Sequence, residues 1–279
     1  MEPAGSAFRV GVSLTRAQLV TAMTLPLLWA TLLAAGEPQA LRVAIDSQQP
    51  PWAFIPGASY DGLDPHKAPV LTPEQLNSVV GLDIDVMKAL SRHLGVPLRP
   101  VSTSWFDTEA GLLAKRFDLI ICSWTPNPKT PASIVATAPY HDWGLLVVVK
   151  AGNKKVTSFE DLAGQRIGHY RDPAVERSLQ AIGRNGTLVP ADDAEVLFAQ
   201  LKAGRLDAVI FDSLYVRWRV AQDPSLRAVG EPLNRLGYHV GVRREDTELF
   251  RRVQDALAAM KAAGELHDIA LRWEGGATK

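Results

Sequence analysis

Three runs of buried-strand residues end in groups able to hold a charged ligand. Residues 41–45 (Leu-Arg-Val-Ala-Ile) end at Asp46, residues 208–211 (Ala-Val-Ile-Phe) at Asp212, and residues 119–122 (Leu-Ile-Ile-Cys) at Ser123-Trp124-Thr125. A carboxylate at the end of a buried strand is partly desolvated and needs a cation or hydrogen-bond donors. Hydroxyls at Ser123 and Thr125 can donate and accept. Trp52, behind Pro50 and Pro51, and Trp105 offer flat walls, and Lys129 and Arg171 are nearby cations. The ordinary alternatives are a helix cap for Asp212, a solvated helix start for Arg171 and core packing for Trp124. No nucleophile elbow, phosphate loop or HExxH motif is present. His141, His169 and His239 lack metal-ligand spacing, and Cys122 is the sole cysteine, so no cofactor, metal or disulfide is expected.

The elements around these residues must bring them to one place. After residue 122 the prolines Pro126, Pro128, Pro131 and Pro139 rule out a regular helix or central strand, and residues 145–149 restart an apolar run. Strand, irregular loop and strand are how an open α/β sheet presents a site at its carboxyl edge. Strands are expected at 41–45, 98–101, 165–169, 188–189 and 238–242. Helices are expected at 83–94, capped by Asp83, at 109–115, at 173–182 with Asp172 as cap and Pro173 first, at 194–203, and over the C-terminal stretch lined by Leu249, Val253, Leu257 and Met260. A motif recurs: Lys-Arg-Phe-Asp-Leu-Ile-Ile near 118 and Gly-Arg-Leu-Asp-Ala-Val-Ile near 207. Two similar α/β lobes, joined by extended strands near 138–146 and 235–240, would enclose a cleft.

Composition sets the address. The chain has 279 residues, 47% of them hydrophobic, with 30 basic and 30 acidic side chains. That balance gives no field favouring nucleic acid or an acidic membrane. Arg9 and Arg16 precede an apolar run at 19–33 and then Ala34-Ala35-Gly36. This is the layout of a secretory signal over residues 1–36, cut after Gly36. The alternative is an uncleaved anchor, for which fifteen residues broken by Pro26 are short.

From about residue 41 to 275 the chain resembles the family-3 extracellular solute-binding proteins, the amino-acid receptors of ABC importers. The matching pieces are Val43-Ala44-Ile45-Asp46 with Pro51-Trp52, Gly81-Leu82-Asp83-Ile84-Asp85, Phe117-Asp118-Leu119-Ile120 and Pro139-Tyr140. They continue with Phe159-Glu160-Asp161-Leu162-Ala163-Gly164, Gly204-Arg205-Leu206-Asp207-Ala208-Val209 with Asp212, and Gly264-Glu265-Leu266 to Arg272-Trp273. The resemblance implies a two-lobed periplasmic-binding-protein fold of type II, two α/β lobes joined by two hinge strands that shut on a ligand. Lobe 1 would take residues 41–138 and 238–279, and lobe 2 residues 139–237. It implies a monomer in the periplasm that hands a small amino-acid-like ligand to a membrane permease, with no catalysis. The alternatives are a dehydratase-like enzyme on the same scaffold and a sensing module with a divergent pocket.

The resemblance also implies roles. Asp212 matches the carboxylate that holds a ligand α-ammonium. Ser123 and Thr125 match groups facing the α-carboxylate, Trp105 an aromatic on the ligand side chain, and Gln49 a position usually aromatic. Asp46, Trp52, Trp124 and Tyr170 complete the expected lining. One departure is sharp: the arginine that clamps the α-carboxylate is Thr130 here, beside Lys129. The Gly-Thr that usually opens the second-lobe helix is Asp172-Pro173, with Arg171 adjacent as a substitute cation.

Overall fold

The computed structural model describes residues 39–275, apart from 61, 62, 65, 184 and 185. The expected signal segment lies outside the described residues. Two five-stranded sheets carry the rest. In the first, β1 (Leu41–Ile45) lies between β2 (Leu98–Ser102) and β3 (Leu119–Ile120), all parallel. Beyond β3, β10 (Leu236–Arg243) runs antiparallel, and β4 (Ile134–Trp143) forms the edge. In the second, β6 (Arg166–Tyr170) lies between β7 (Thr187–Ala191) and β8 (Ala208–Asp212), all parallel. Antiparallel β5 (Leu145–Lys150) follows β8, and β9 (Leu226–Val229) forms the edge. The layouts match: three parallel strands, then a strand that has just crossed from the other sheet, then an edge. Among the described residues no helix is long and apolar enough to cross a membrane.

The apolar runs explain the layers. Along β1 and β3, Val43, Ile45, Leu119 and Ile121 enter the main core, while Ala44, Ile120 and Cys122 enter a smaller core with Leu112, Phe117 and Trp124. Burial of both faces is the reason these strands read as continuous apolar runs. Over the main core lie α2 (Leu82–Leu94), α7 (Thr247–Ala262) and α8 (Glu265–Glu274). Among the described residues the remaining α-helices are α1 (Pro73–Asn77) and α3 (Thr108–Leu113) in the first lobe, and α4 (Pro173–Ile182), α5 (Ala194–Lys202) and α6 (Ser213–Gln222) in the second.

Three expectations change. The proline-rich stretch gives way to regular strand at Ile134, and β4 holds Pro139 inside it. Its place at the sheet edge permits a residue without an N–H, and the pairing with β10 slips at this point, where His239 faces Pro139. The first sheet therefore keeps the chain through Trp143 and regains it at Leu236, rather than handing over at 138 and 238. Lastly, α2 begins after Gly81, at φ 142°, and Asp83 sits inside its first turn rather than capping it. A Cβ at Gly81 would lie 2.0 Å from the Trp52 carbonyl oxygen, so the loop carrying Trp52 requires glycine there.

Candidate functional site

A cavity of about 1010 Å³ lies between the carboxyl ends of the two sheets. Its floor is a hydrogen-bonded relay across both lobes. The Trp52 indole N–H donates to the Tyr238 hydroxyl at 3.0 Å, and Tyr238 donates to Oδ2 of Asp212. Trp52 comes from the loop after β1, Tyr238 from β10 and Asp212 from the end of β8. The other oxygen of Asp212 accepts from the backbone N–H of Leu214 at 2.8 Å and so caps α6. Burial outweighs these donors and pushes the Asp212 carboxyl up to about 7. Tyr215, on the first turn of α6, stacks on Trp52 with centroids 6.0 Å apart. Farther along α6, Trp218 meets Phe54 edge-on, and Arg217 pairs with Glu274 of α8 at 3.1 Å.

Gln49, Trp52, Trp105, Ser123, Thr125, Tyr170, Asp172 and Asp212 all line this cleft. Several are already engaged by the protein. Thr125 donates to the Gly237 carbonyl at 2.9 Å and accepts from the Trp143 indole at 3.1 Å. The Ser123 hydroxyl folds back onto the Cys122 carbonyl, and its N–H donates to Tyr140. Asp172 caps α4, accepting from Ala174 and Val175. Trp105 is held in place by Asp46, whose Oδ2 accepts its N–H at 2.9 Å.

Five expected residues lie outside the lining. Asp46 is buried under the loop it ties, and burial pushes its carboxyl up to about 6. Ser123 takes φ 51°, a left-handed conformation uncommon outside glycine. The turn sends Trp124 into the small core, where its indole donates to Glu109 at 3.0 Å. Thr130 bonds the same Glu109 oxygen at 2.7 Å and closes a turn onto the Asn127 N–H. That turn leaves Lys129 exposed. Arg171 faces solvent and pairs with Asp192 at 2.8 Å.

Other lining residues escaped the sequence reading: Tyr238, Tyr215, Trp143 and Asp193. Tyr238 and Trp143 fall in expected extended segments, and a buried tyrosine or tryptophan needs a hydrogen-bond partner. Nothing local names that partner.

Comparison with known proteins agrees with this architecture. Residues 41–276 match the model of the bacterial extracellular solute-binding proteins, family 3. The L-cystine-binding protein TcyJ of Escherichia coli (strain K12) is 27% identical over 199 residues, 71% of this chain and 75% of that protein. The ABC transporter arginine-binding protein 1 of the same strain is 27% identical over 202 residues, 71% of this chain and 82% of its own. An ancestral arginine-binding protein solved with glutamine bound superposes with a TM-score of 0.65 at 27% identity, covering 85% of this chain and 99% of that one. The chain therefore belongs to the bacterial extracellular solute-binding proteins, family 3.

Proposed function

We propose that this chain is an exported receptor that closes two lobes on a small polar, amine-bearing ligand and delivers it to an ABC permease. The observation that carries this reading is the position of Asp212, a buried carboxylate at the mouth of β8 that reaches the other lobe through Tyr238 and Trp52. A ligand ammonium there gains a charged hydrogen bond in a site screened from water. The relatives named for cystine and arginine support an amino-acid-like size. Binding without turnover fits the placement of Asp172, the acid that a dehydratase would need, as a helix cap. Export would remove residues 1–36 and leave a monomer in the periplasm.

The test is a thermal-shift screen of the mature protein against amines, amino acids, organic acids and neutral solutes. Solution scattering then follows any compound that raises the melting temperature. A binding compound should shrink the radius of gyration and be recovered unchanged. A bound compound that leaves the radius unaltered argues against closure, and conversion of the compound argues for an enzyme.

A further inference from the structure

Three helices of the second lobe begin at the cleft, and the residue before each is an aspartate: Asp172 before α4, Asp193 before α5 and Asp212 before α6. A helix N-terminus is a ready anion site, because its first N–H groups lack partners and its dipole favours negative charge. Here that capacity is filled from within. Asp172 Oδ1 takes the N–H groups of Ala174 and Val175 at 2.7 and 3.0 Å. Asp193 Oδ1 takes that of Glu195 at 2.7 Å, and Asp212 Oδ1 that of Leu214 at 2.8 Å. A ligand carboxylate would have to displace a tethered carboxylate and then sit beside its charge.

The cations near the cleft are committed as well. Arg219 lines it, pairs through Nη2 with Glu195 at 2.7 Å and lies over the Phe198 ring at 5.8 Å, which leaves its buried Nε without a partner. Arg171 is taken by Asp192, and Lys129 lies outside the lining. By contrast, among the described residues no lysine, arginine or histidine forms a salt bridge with Asp172, Asp193 or Asp212. Arg177, one turn along α4, is the cation whose charge reaches Asp172, but it forms no salt bridge with it, so the balance at the three helix starts is negative. No group of three His, Cys, Asp or Glu side chains among the described residues could hold a metal ion, which directs the choice to an organic cation. Trp105, Tyr170 and Tyr215 add aromatic surface to the same cleft, and aromatic faces attract cations.

Resting on the receptor reading above, we propose that the ligand is a small organic amine or diamine that carries no carboxylate. Its charge meets Asp172 and Asp212, and its carbon stem lies along the aromatic walls.

Matched pairs that differ only by a carboxylate test this: cadaverine against lysine, agmatine against arginine, histamine against histidine. Calorimetry on the mature protein should show the amine of at least one pair binding roughly tenfold tighter, or more, than its amino acid. An amino acid that binds as tightly as its amine in every pair that binds, or no binding by any of the six, overturns the proposal. In that event a neutral solute or organic acid that still closes the lobes keeps the receptor reading standing. Absence of any binder in the wider screen sinks both. The Asp172→Gly variant, checked for an unchanged circular dichroism spectrum, sharpens the answer. It should lose about tenfold in amine affinity and gain the amino acid of the pair, since the N–H groups of Ala174 and Val175 become free. Unchanged preference in Asp172→Gly counts against the proposal. Should that variant misfold, Asp172→Asn keeps a capping side chain and must still lose amine affinity.

Discussion

At the amino end of the first sheet, Oδ2 of Asp118 receives the Arg42 backbone N–H at 2.9 Å, and its carboxylate grips the Arg42 guanidinium. At the amino end of the second, Asp207 does the same for Arg166, with the backbone N–H and Nε both at 2.9 Å from Oδ2. One fastening thus joins the central strand of each lobe to its parallel neighbour. The carboxyl ends share nothing of the kind. The first lobe ends its strand in hydroxyls that bond to the protein, and the second in Asp212 with two further helix-capping aspartates nearby. The halves agree where they only need to hold together and differ where they line the cleft. The receptor reading proposed above therefore puts recognition of charge in the second lobe, while the first supplies Trp52, Trp105 and Tyr238 as surface.

The largest effect should come from the divergent end. Asp212→Asn keeps a capping group but removes the charge, and calorimetry should show a cationic ligand weakened by about 2–5 kcal/mol with the fold retained. Wild-type affinity in this variant would mean that the second lobe does not read the ligand's charge.

Next come the fastenings. Asp118→Ala should cost about 2–3 kcal/mol in urea denaturation, because Asp118 also bonds Arg243, a buried arginine whose Nη1 donates to the carbonyls of Leu112 and Phe117. Asp207→Ala, whose carboxylate is more exposed, should cost about 1 kcal/mol after allowance for solvent screening. Equal losses would deny the extra role of Arg243.

The two ends should also answer pH in opposite senses. Burial raises Asp212 and Asp83 to about 7 each, despite the Tyr238 and Tyr140 hydroxyls they accept. A raised folded-state pKa contributes stability that is present below about 4 and lost as pH rises through 7. Burial also acts to raise Asp118, but the hydrogen bonds and charge of Arg42 outweigh it; Asp207 is lowered chiefly by the side-chain hydrogen bond from Arg166. Their stability is present above about 4 and lost as pH falls. Asp83→Asn should therefore flatten the decline in melting temperature of the free protein from pH 5 to 8. Asp207→Asn should flatten the decline below pH 4 instead. Identical profiles for the two variants would refute the opposition.

The smallest effect is expected at Arg171→Ala. This exposed pair with Asp192 should change ligand binding by less than about 1 kcal/mol. A greater loss would make Arg171 a ligand contact after all.

Much of the architecture was legible because the runs 43–45, 119–121, 147–149 and 208–211 are buried on both faces and bounded by glycine, proline or aspartate. The recurrence around Asp118 and Asp207 was also visible, but the partners of the two aspartates were not. Those partners, Arg42 and Arg166, lie 76 and 41 residues away in neighbouring strands. The same distance effect limited the site. Strand ends pointed to Asp212, Ser123, Thr125 and Trp52. What each group does there depends on Tyr238, Trp143 and Gly237, which only the fold brings close. Lys129 and Thr130 entered the expected site through the family resemblance, and the turn at Asn127 leaves both outside the cleft lining.

The relay from Trp52 through Tyr238 to Asp212 has a consequence for proton traffic. Burial pushes the Asp212 carboxyl up to about 7. If the ligand is the amine proposed above, its charge favours the charged form of Asp212, and binding would release a proton. Capture would then exchange one positive charge for another, and the buried floor of the cleft would end close to the net charge with which it began. Acidification of the surroundings would work the exchange backward and help the receptor let its ligand go.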